Sequence, residues 1–77
     1  MGKNLEILLT EVKIIAVKHL KNIELERFLS PVVPRVGEIW YHQHYGCEVE
    51  RVEWFMYSKR DSGRVLCADV YVDGSEI

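Results

Sequence analysis

Two histidines and a cysteine lie close together and are the sharpest candidates for metal chemistry. His42 and His44 are two residues apart, and Cys47 follows three residues later. On a β-strand the two imidazoles would share a face, and a turn would bring the Cys47 thiol near, giving three ligands of types that zinc accepts. Cys67 or His19 would complete the set. No Cys-x-x-Cys pair is present, so zinc binding is kept as an alternative to ordinary solvent-facing polar side chains.

Nucleophilic catalysis would draw on the same residues. A cysteine nucleophile requires a histidine base that is held by a third group, so His42 or His44 would have to serve Cys47. A strand-turn-strand of this size leaves little room for a pocket that excludes water, and no glycine-rich phosphate or oxyanion loop occurs. The carboxylates of the second half are better explained as cross-strand partners of arginines. We therefore predict a protein that is not an enzyme and holds no cofactor.

Aromatic residues crowd the second half of the chain and give the best candidate binding surface. This half contains both tryptophans, all four tyrosines and Phe55. A small curled sheet buries one face, so several rings stay accessible, and Trp, Tyr and Arg dominate interface energetics. The candidate binding residues are Trp40, Tyr41, Tyr57, Arg60, Arg64 and Tyr71. The competing interpretation is that the rings only cap a thin core.

Two-residue periodicity beyond Pro34 predicts the strands that position these residues. We predict strands over 38–44, 47–57 and 64–72, with a turn at 45–46 and a polar hairpin loop at 59–63. The alternation slips after Val49, and one extra residue near Glu50-Arg51, a β-bulge, would restore its phase. The register that sets apolar residues against each other pairs Val52 with Val70, Trp54 with Ala68 and Met56 with Leu66.

Residues 5–33 are compatible with either a β-hairpin or a helix. As a helix, seven apolar residues of the segment 5–20 share one face and three are misplaced. As strands, residues 12–17 include four β-branched residues, and residues 23–26 alternate in polarity. We favour the hairpin, with a turn at Lys21-Asn22. Pro31 and Pro34 then predict an extended connector over 30–35.

The whole chain is predicted to be one small domain that is mainly β. A hairpin over 5–33 and a three-stranded antiparallel meander over 36–73 would give a small antiparallel sheet of about five strands, curled into an SH3-like half-barrel. The alternative is an α+β fold in which an N-terminal helix packs on a three-stranded antiparallel sheet. A hydrophobic content of 48% with 29% charged residues is typical of a folded chain, and 77 residues allow one small core.

Charge is distributed unevenly along the chain and bears on possible partners. Residues 1–36 carry six Lys/Arg and four Asp/Glu, whereas residues 37–77 carry four and eight. An acidic sheet half argues against nucleic-acid binding, which rests on neutralising phosphates. A nucleic-acid-binding small β-barrel is kept as an alternative because Arg60 and Arg64 make the last hairpin locally positive. No signal peptide or membrane-spanning apolar run is visible, so we expect a cytoplasmic protein with Cys47 and Cys67 as thiols.

One motif resembles that of a known group of proteins. The string Pro34-Arg35-Val36-Gly37-Glu38 is followed by an apolar strand, a glycine, Val49-x-x-Val52 and Val70-Tyr71-Val72. This pattern resembles small hypothetical proteins of phage and prophage origin with a P-R-V-G-[DE] signature. Over the C-terminal half, the resemblance implies a curled sheet of SH3-like type, a mobile-element origin and no assigned activity. Together with the aromatic face, it favours an interaction module that binds a protein partner, such as a component of a host system, or itself as a homodimer.

Overall fold

The structure, a computed structural model, describes residues 9–60 and 63–77 of the 77-residue chain. These residues form five β-strands and no helix. The strands are β1 (Thr10–Lys18), β2 (Lys21–Ser30), β3 (Ile39–His42), β4 (Tyr45–Lys59) and β5 (Gly63–Asp73). The prediction of a small, mainly β domain is confirmed, and the N-terminal helix alternative is wrong for residues 10–30. Residues 5–8 of the predicted hairpin lie outside the described residues.

The five strands form one sheet, in the order β2-β1-β5-β4-β3, that curls into a half-barrel. Strand β1 runs parallel to β5, and the other three neighbouring pairs are antiparallel. The sheet is therefore mainly antiparallel, as predicted, and contains one parallel junction that the prediction did not specify. A connector over 31–38 carries the chain from the edge strand β2 to the opposite edge strand β3. Because no tight turn joins the hairpin to the other strands, β1 is free to lie parallel to β5.

The core lies on the concave side of the curled sheet, called the inner face below. Alternate residues of β1 and β5 face each other in register on this side: Val12 with Ala68, Ile14 with Val70 and Ala16 with Val72. All six are almost completely buried. Cys47 and Val49 of β4 complete the buried set. β-Branched side chains fill most of these positions, which suits a pleated surface that is covered on one side.

The pairing of β4 with β5 follows the predicted register. The β-bulge expected near Glu50-Arg51 is present, since the pairing shifts between Val49 and Arg51. Beyond the bulge, Trp54 lies opposite Ala68 and Met56 lies opposite Leu66. The extra residue restores the phase, so the even-numbered apolar residues of β4 share the inner face with Val49.

Two predicted turns are misplaced by two residues. The first hairpin turns at His19-Leu20 instead of Lys21-Asn22, and the second turns at Gln43-His44 instead of Tyr45-Gly46. The predicted strand over 38–44 is accordingly shorter, Ile39–His42. The first residue of each turn has a φ of 57° or 58°, in the left-handed region that two-residue hairpin turns require. Neither turn contains glycine, so the usual sequence signal for such turns is absent.

Gly46 lies within β4 and not in a turn. The absence of a side chain at this position leaves space for its neighbours. It pairs with Tyr41, and an added Cβ would lie 3.1 Å from a ring carbon of that tyrosine. The same Cβ would lie 3.1 Å from a methyl carbon of Ile39. The glycine therefore leaves room for side chains of β3.

Candidate functional site

The motif that contains Pro34 and Gly37 forms a tight turn in the connector. The Glu38 N–H donates to the Arg35 carbonyl at 3.0 Å, and Gly37 has a φ of 94° at the third position of this four-residue turn. The Glu38 carboxylate accepts a 2.6 Å hydrogen bond from the Arg35 backbone N–H and lies 3.3 Å from its guanidinium. That backbone hydrogen bond is the main reason why the pKa of Glu38 lies below its ordinary value. The motif therefore has a structural explanation.

The same turn extends the pairing of β4 by a short distance. The Gly37 N–H donates to the Val49 carbonyl at 2.9 Å, and the Val49 N–H donates to the Glu38 carbonyl at 2.8 Å. Strand β3 itself pairs with β4 only from Tyr45 to Glu48. Past Val49, the part of the chain that the structure describes supplies no further strand along this edge of β4.

Trp40 joins the two edges of the sheet across the mouth of the half-barrel. Its ring stacks on Phe28 of β2 with a centroid distance of 5.5 Å and an angle of 8° between the planes. Its indole N–H donates to Glu26 at 3.4 Å, and His42 Nδ1 lies 3.5 Å from the same carboxylate oxygen. Trp40 also packs against the buried core. The Trp40 side chain therefore helps to close the half-barrel, which leaves less of its surface for a binding partner.

The metal-binding alternative receives no geometric support. His44 lies in the turn after β3 and is exposed, whereas Cys47 is buried in the core. Among residues 9–60 and 63–77, no three His, Cys, Asp or Glu side chains are grouped so that they could hold a metal ion. Neither Cys47 nor Cys67 is joined in a disulfide. Burial, followed by the nearby charge of Asp73, raises the pKa of the Cys47 thiol and disfavours the reactive thiolate.

The convex side, called the outer face, carries rings that are held by polar contacts. The Tyr71 hydroxyl donates to Glu53 at 3.3 Å, and the Arg51 guanidinium lies 4.1 Å from the centre of the Tyr71 ring. Burial and the neighbouring Glu53 carboxylate raise the pKa of Tyr71. The Tyr57 hydroxyl donates to Glu11 at 3.0 Å. These tyrosines are therefore integrated into a polar surface.

A small depression on the outer face lies beside these rings. Its volume is about 140 Å³, and its charged lining residues are Glu11, Lys13, Arg27 and Asp69. Two positive and two negative side chains give no net preference for an anion or a cation. The depression therefore points to no ligand class.

The six candidate binding residues do not form one surface. Trp40 lies on the inner face at β3, Tyr57 and Tyr71 lie on the outer face, Tyr41 is exposed on β3, and Arg60 and Arg64 are exposed near the β4–β5 connection. The predicted binding face around Trp40, Tyr57 and Tyr71 is therefore divided between two sides of the sheet. Residues 61 and 62 of the predicted hairpin loop lie outside the described residues.

Three large apolar side chains are brought together instead at the far end of the inner face. Trp54, Met56 and Leu66 are 54%, 55% and 37% exposed, although they continue the rows that contain the core residues. Met56 and Leu66 are directly paired, and Trp54 precedes Met56 by two positions in β4. We call these three residues the apolar patch.

The patch exists because β4 and β5 extend beyond the core that the N-terminal hairpin covers. Strand β1 pairs with β5 from Cys67 onward, which leaves Leu66 beyond that pairing. Strand β4 has 15 residues and spans most of the molecule's 50 Å length. The predicted register already placed these side chains on one face. The sequence does not show where the pairing of β1 with β5 ends, because that depends on contacts between distant parts of the chain.

Comparison with known proteins finds no matching family model, curated protein or solved structure. Residues 9–60 and 63–77 contain no helical segment that could span a bilayer. The surface chemistry of this chain is therefore the basis for a functional proposal.

Proposed function

We propose that this protein is a small, non-enzymatic interaction module that binds a protein through the apolar patch. The observation that carries the proposal is the close grouping of three half-exposed apolar side chains, Trp54, Met56 and Leu66, on paired strands. Completing the burial of each would contribute roughly 1 kcal/mol, so a partner that covers all three would gain about 3 kcal/mol. Tryptophan is also enriched among the residues that dominate protein interfaces.

The positions of the reactive side chains favour binding over catalysis. The Cys47 thiol is buried and its pKa is raised, so little thiolate is available for nucleophilic attack. The His42 ring lies beside the Glu26 carboxylate near the closed mouth of the half-barrel. An interaction module needs neither group to be reactive.

Charge favours a protein partner over a nucleic acid. Arg60 and Arg64 are exposed close to the patch, which is the best support for the nucleic-acid alternative. The half of the chain that contains them nevertheless carries eight acidic and four basic residues. Stable binding of a phosphate backbone requires an excess of positive charge, and apolar surface is better matched by another protein.

Site-specific photo-crosslinking tests the proposal. Met56 is replaced by p-benzoylphenylalanine, and the protein is irradiated in an extract of its source cells. Leu20 provides a matched control because it is also apolar and fully exposed. It lies in the β1–β2 turn, beyond the end of β5 that is opposite to Leu66. We expect a defined protein adduct from position 56 and none from position 20.

The result separates the two classes of partner. Equal labelling from positions 20 and 56, or none from position 56, would contradict the proposal. An adduct that nuclease digestion removes, and that disappears as salt is added, would instead support the nucleic-acid alternative.

A further inference from the structure

The apolar patch adjoins an edge of β4 along which the described residues place no further strand. Over Arg51 to Met56, the described part of the chain pairs with β4 only through β5. Alternate residues of an edge strand direct their N–H and C=O groups away from the sheet, where they are available to another strand. An edge that also carries large apolar side chains is a template for strand addition.

Charge does not protect this edge on the inner side. The three inner-face side chains of the stretch, Val52, Trp54 and Met56, are all apolar. Its two charged side chains, Arg51 and Glu53, lie on the outer face, 3.4 Å apart and in contact with Tyr71. A second strand would therefore meet no inward-pointing charge.

The opposite edge of the sheet is protected. Strand β2 carries four charged residues in ten, and its pairing with β1 is interrupted by a bulge between Glu24 and Glu26. Glu24 and Arg27 also form an ion pair at 2.9 Å. Charges and bulges are the devices that keep edge strands from pairing. Two copies that each use the β4 edge of the described sheet form a closed symmetric pair and not a filament, because each contributes the same edge to the contact.

We infer that a second copy of this chain binds along the β4 edge through antiparallel strand pairing, an inference that rests on the proposed function. The two-fold axis is perpendicular to the sheet, which keeps both apolar patches on the same face. Centred on Phe55, the pair places Trp54 of each copy opposite Met56 of the other. Centring on Glu53 would place two carboxylates opposite each other, which is unfavourable.

The geometry of the edge strands permits this arrangement. Strand β3 pairs only with the first residues of β4, Tyr45 to Glu48. In an antiparallel pair, the β3 strands of the two copies therefore lie at opposite ends of the joint sheet, away from the contact. The joined sheets form one ten-stranded sheet in which the two apolar patches are contiguous.

The expected interface is small. Trp54, Met56 and Phe55 lie on β4 and contact the second copy, whereas Leu66 on β5 is one strand removed from it. Covering on the order of 100 Å² of each of these three side chains in both copies contributes about 600 Å². With the backbone of the paired strands, the total reaches about 800–1,000 Å², which is below the range of standard specific interfaces. A weak, reversible dimer is the expected result.

Sedimentation equilibrium on the full chain, from low micromolar to submillimolar concentrations, tests the inference. We expect a reversible monomer–dimer equilibrium. Met56→Lys is expected to weaken it at least about tenfold, because a charge would face the apolar row of the second copy. Tyr41→Lys is the matched control, since it introduces the same charge at an exposed ring on β3, and is expected to change the dissociation constant less than about twofold.

Amide hydrogen exchange on the unmodified protein provides a test that does not depend on a variant folding. Protection of amides in Val52 to Met56 is expected to rise with protein concentration. Circular dichroism checks each variant, and Trp54→Lys replaces Met56→Lys if the latter is unfolded.

Two outcomes would overturn the inference. One is a monomer at every concentration; if its Val52 to Met56 amides are protected all the same, the chain covers its own edge. The other is a dimer whose dissociation constant is unchanged by Met56→Lys and by Trp54→Lys. A monomer that still crosslinks from position 56 to a different protein would overturn the dimer and leave the proposed function standing.

Discussion

Replacing each tryptophan by alanine in turn tests which of the two stabilises the fold. Trp40 stacks on Phe28, donates to Glu26 and packs against the core, and so connects the two edge strands β2 and β3. Trp54 has no comparable cover and is 54% exposed. We expect Trp40→Ala to reduce stability substantially and Trp54→Ala to reduce it little.

The magnitude follows from the burial of the ring. Truncating a fully buried tryptophan costs about 3–5 kcal/mol, and a stacked aromatic pair contributes about 0.5–1.5 kcal/mol. Because Trp40 is only partly buried, we expect Trp40→Ala to lower the free energy of unfolding by about 2–3 kcal/mol. A domain of this length has a total stability of roughly 4–12 kcal/mol, so this is a large fraction. Trp54→Ala is expected to cost less than about 1 kcal/mol.

Urea denaturation followed by far-ultraviolet circular dichroism measures the difference. With a denaturant slope of about 1 kcal/mol per molar urea, Trp40→Ala should lower the midpoint by roughly 2–3 M. Trp40→Phe keeps a ring against Phe28 and should recover most of the loss. If Trp54→Ala costs as much as Trp40→Ala, or if Trp40→Ala costs nothing, the proposed closure of the half-barrel is wrong.

Three further predictions concern individual residues. Gly74→Ala is expected to lower the free energy of unfolding by about 1–3 kcal/mol in urea, because the new Cβ would lie 2.9 Å from the buried Ala16 Cβ, and an unchanged midpoint would refute this. The Glu38 carboxyl is expected to titrate below the ordinary glutamate pKa in carbon-detected NMR, because the hydrogen bond from the Arg35 backbone N–H lowers its pKa. Its contribution to stability is present above the unfolded pKa and is lost as pH falls through the folded pKa. A titration of Glu38 at or above the ordinary pKa would mean that the bond is not formed in solution. In a variant that retains only Cys47, disulfide exchange with a chromogenic reagent should be at least about tenfold slower in the native protein than in urea, and equal rates would contradict its burial.

Local alternation in the sequence was sufficient to predict the β4–β5 pairing. The slip after Val49 indicated a bulge, and the match of apolar residues fixed Trp54 opposite Ala68. Both signals lie within a few residues of the features that they predict. A wrong register would turn an entire apolar row toward solvent, so the choice between registers was strongly constrained.

The turns and the parallel junction had weaker signals. His19-Leu20 and Gln43-His44 form two-residue turns without glycine, whereas Gly46, a residue type typical of turns, lies inside a strand. The parallel pairing of β1 with β5 joins segments that are more than fifty residues apart. No local pattern distinguishes that arrangement from an antiparallel one.

The candidate site was only partly predictable for the same reason. Trp40 and Trp54 both occupy inner-face positions of the sheet, and their sequence contexts do not show which of them is covered. That difference depends on Phe28 reaching Trp40 and on β1 pairing with β5 only from Cys67 onward. Both are consequences of the complete topology.

Fluorescence of single-tryptophan variants tests most directly the claim that the far end of the β4–β5 hairpin is the contact surface. In Trp40→Phe, which retains Trp54, acrylamide should quench the emission readily at low protein concentration. As concentration rises, the emission should shift to shorter wavelength and quenching should weaken. In Trp54→Phe, which retains Trp40, neither property should depend on concentration. Shielding of Trp40 that increases with protein concentration would contradict the account. So would a Trp54 whose exposure changes neither as the protein concentration rises nor when a partner identified by crosslinking is added.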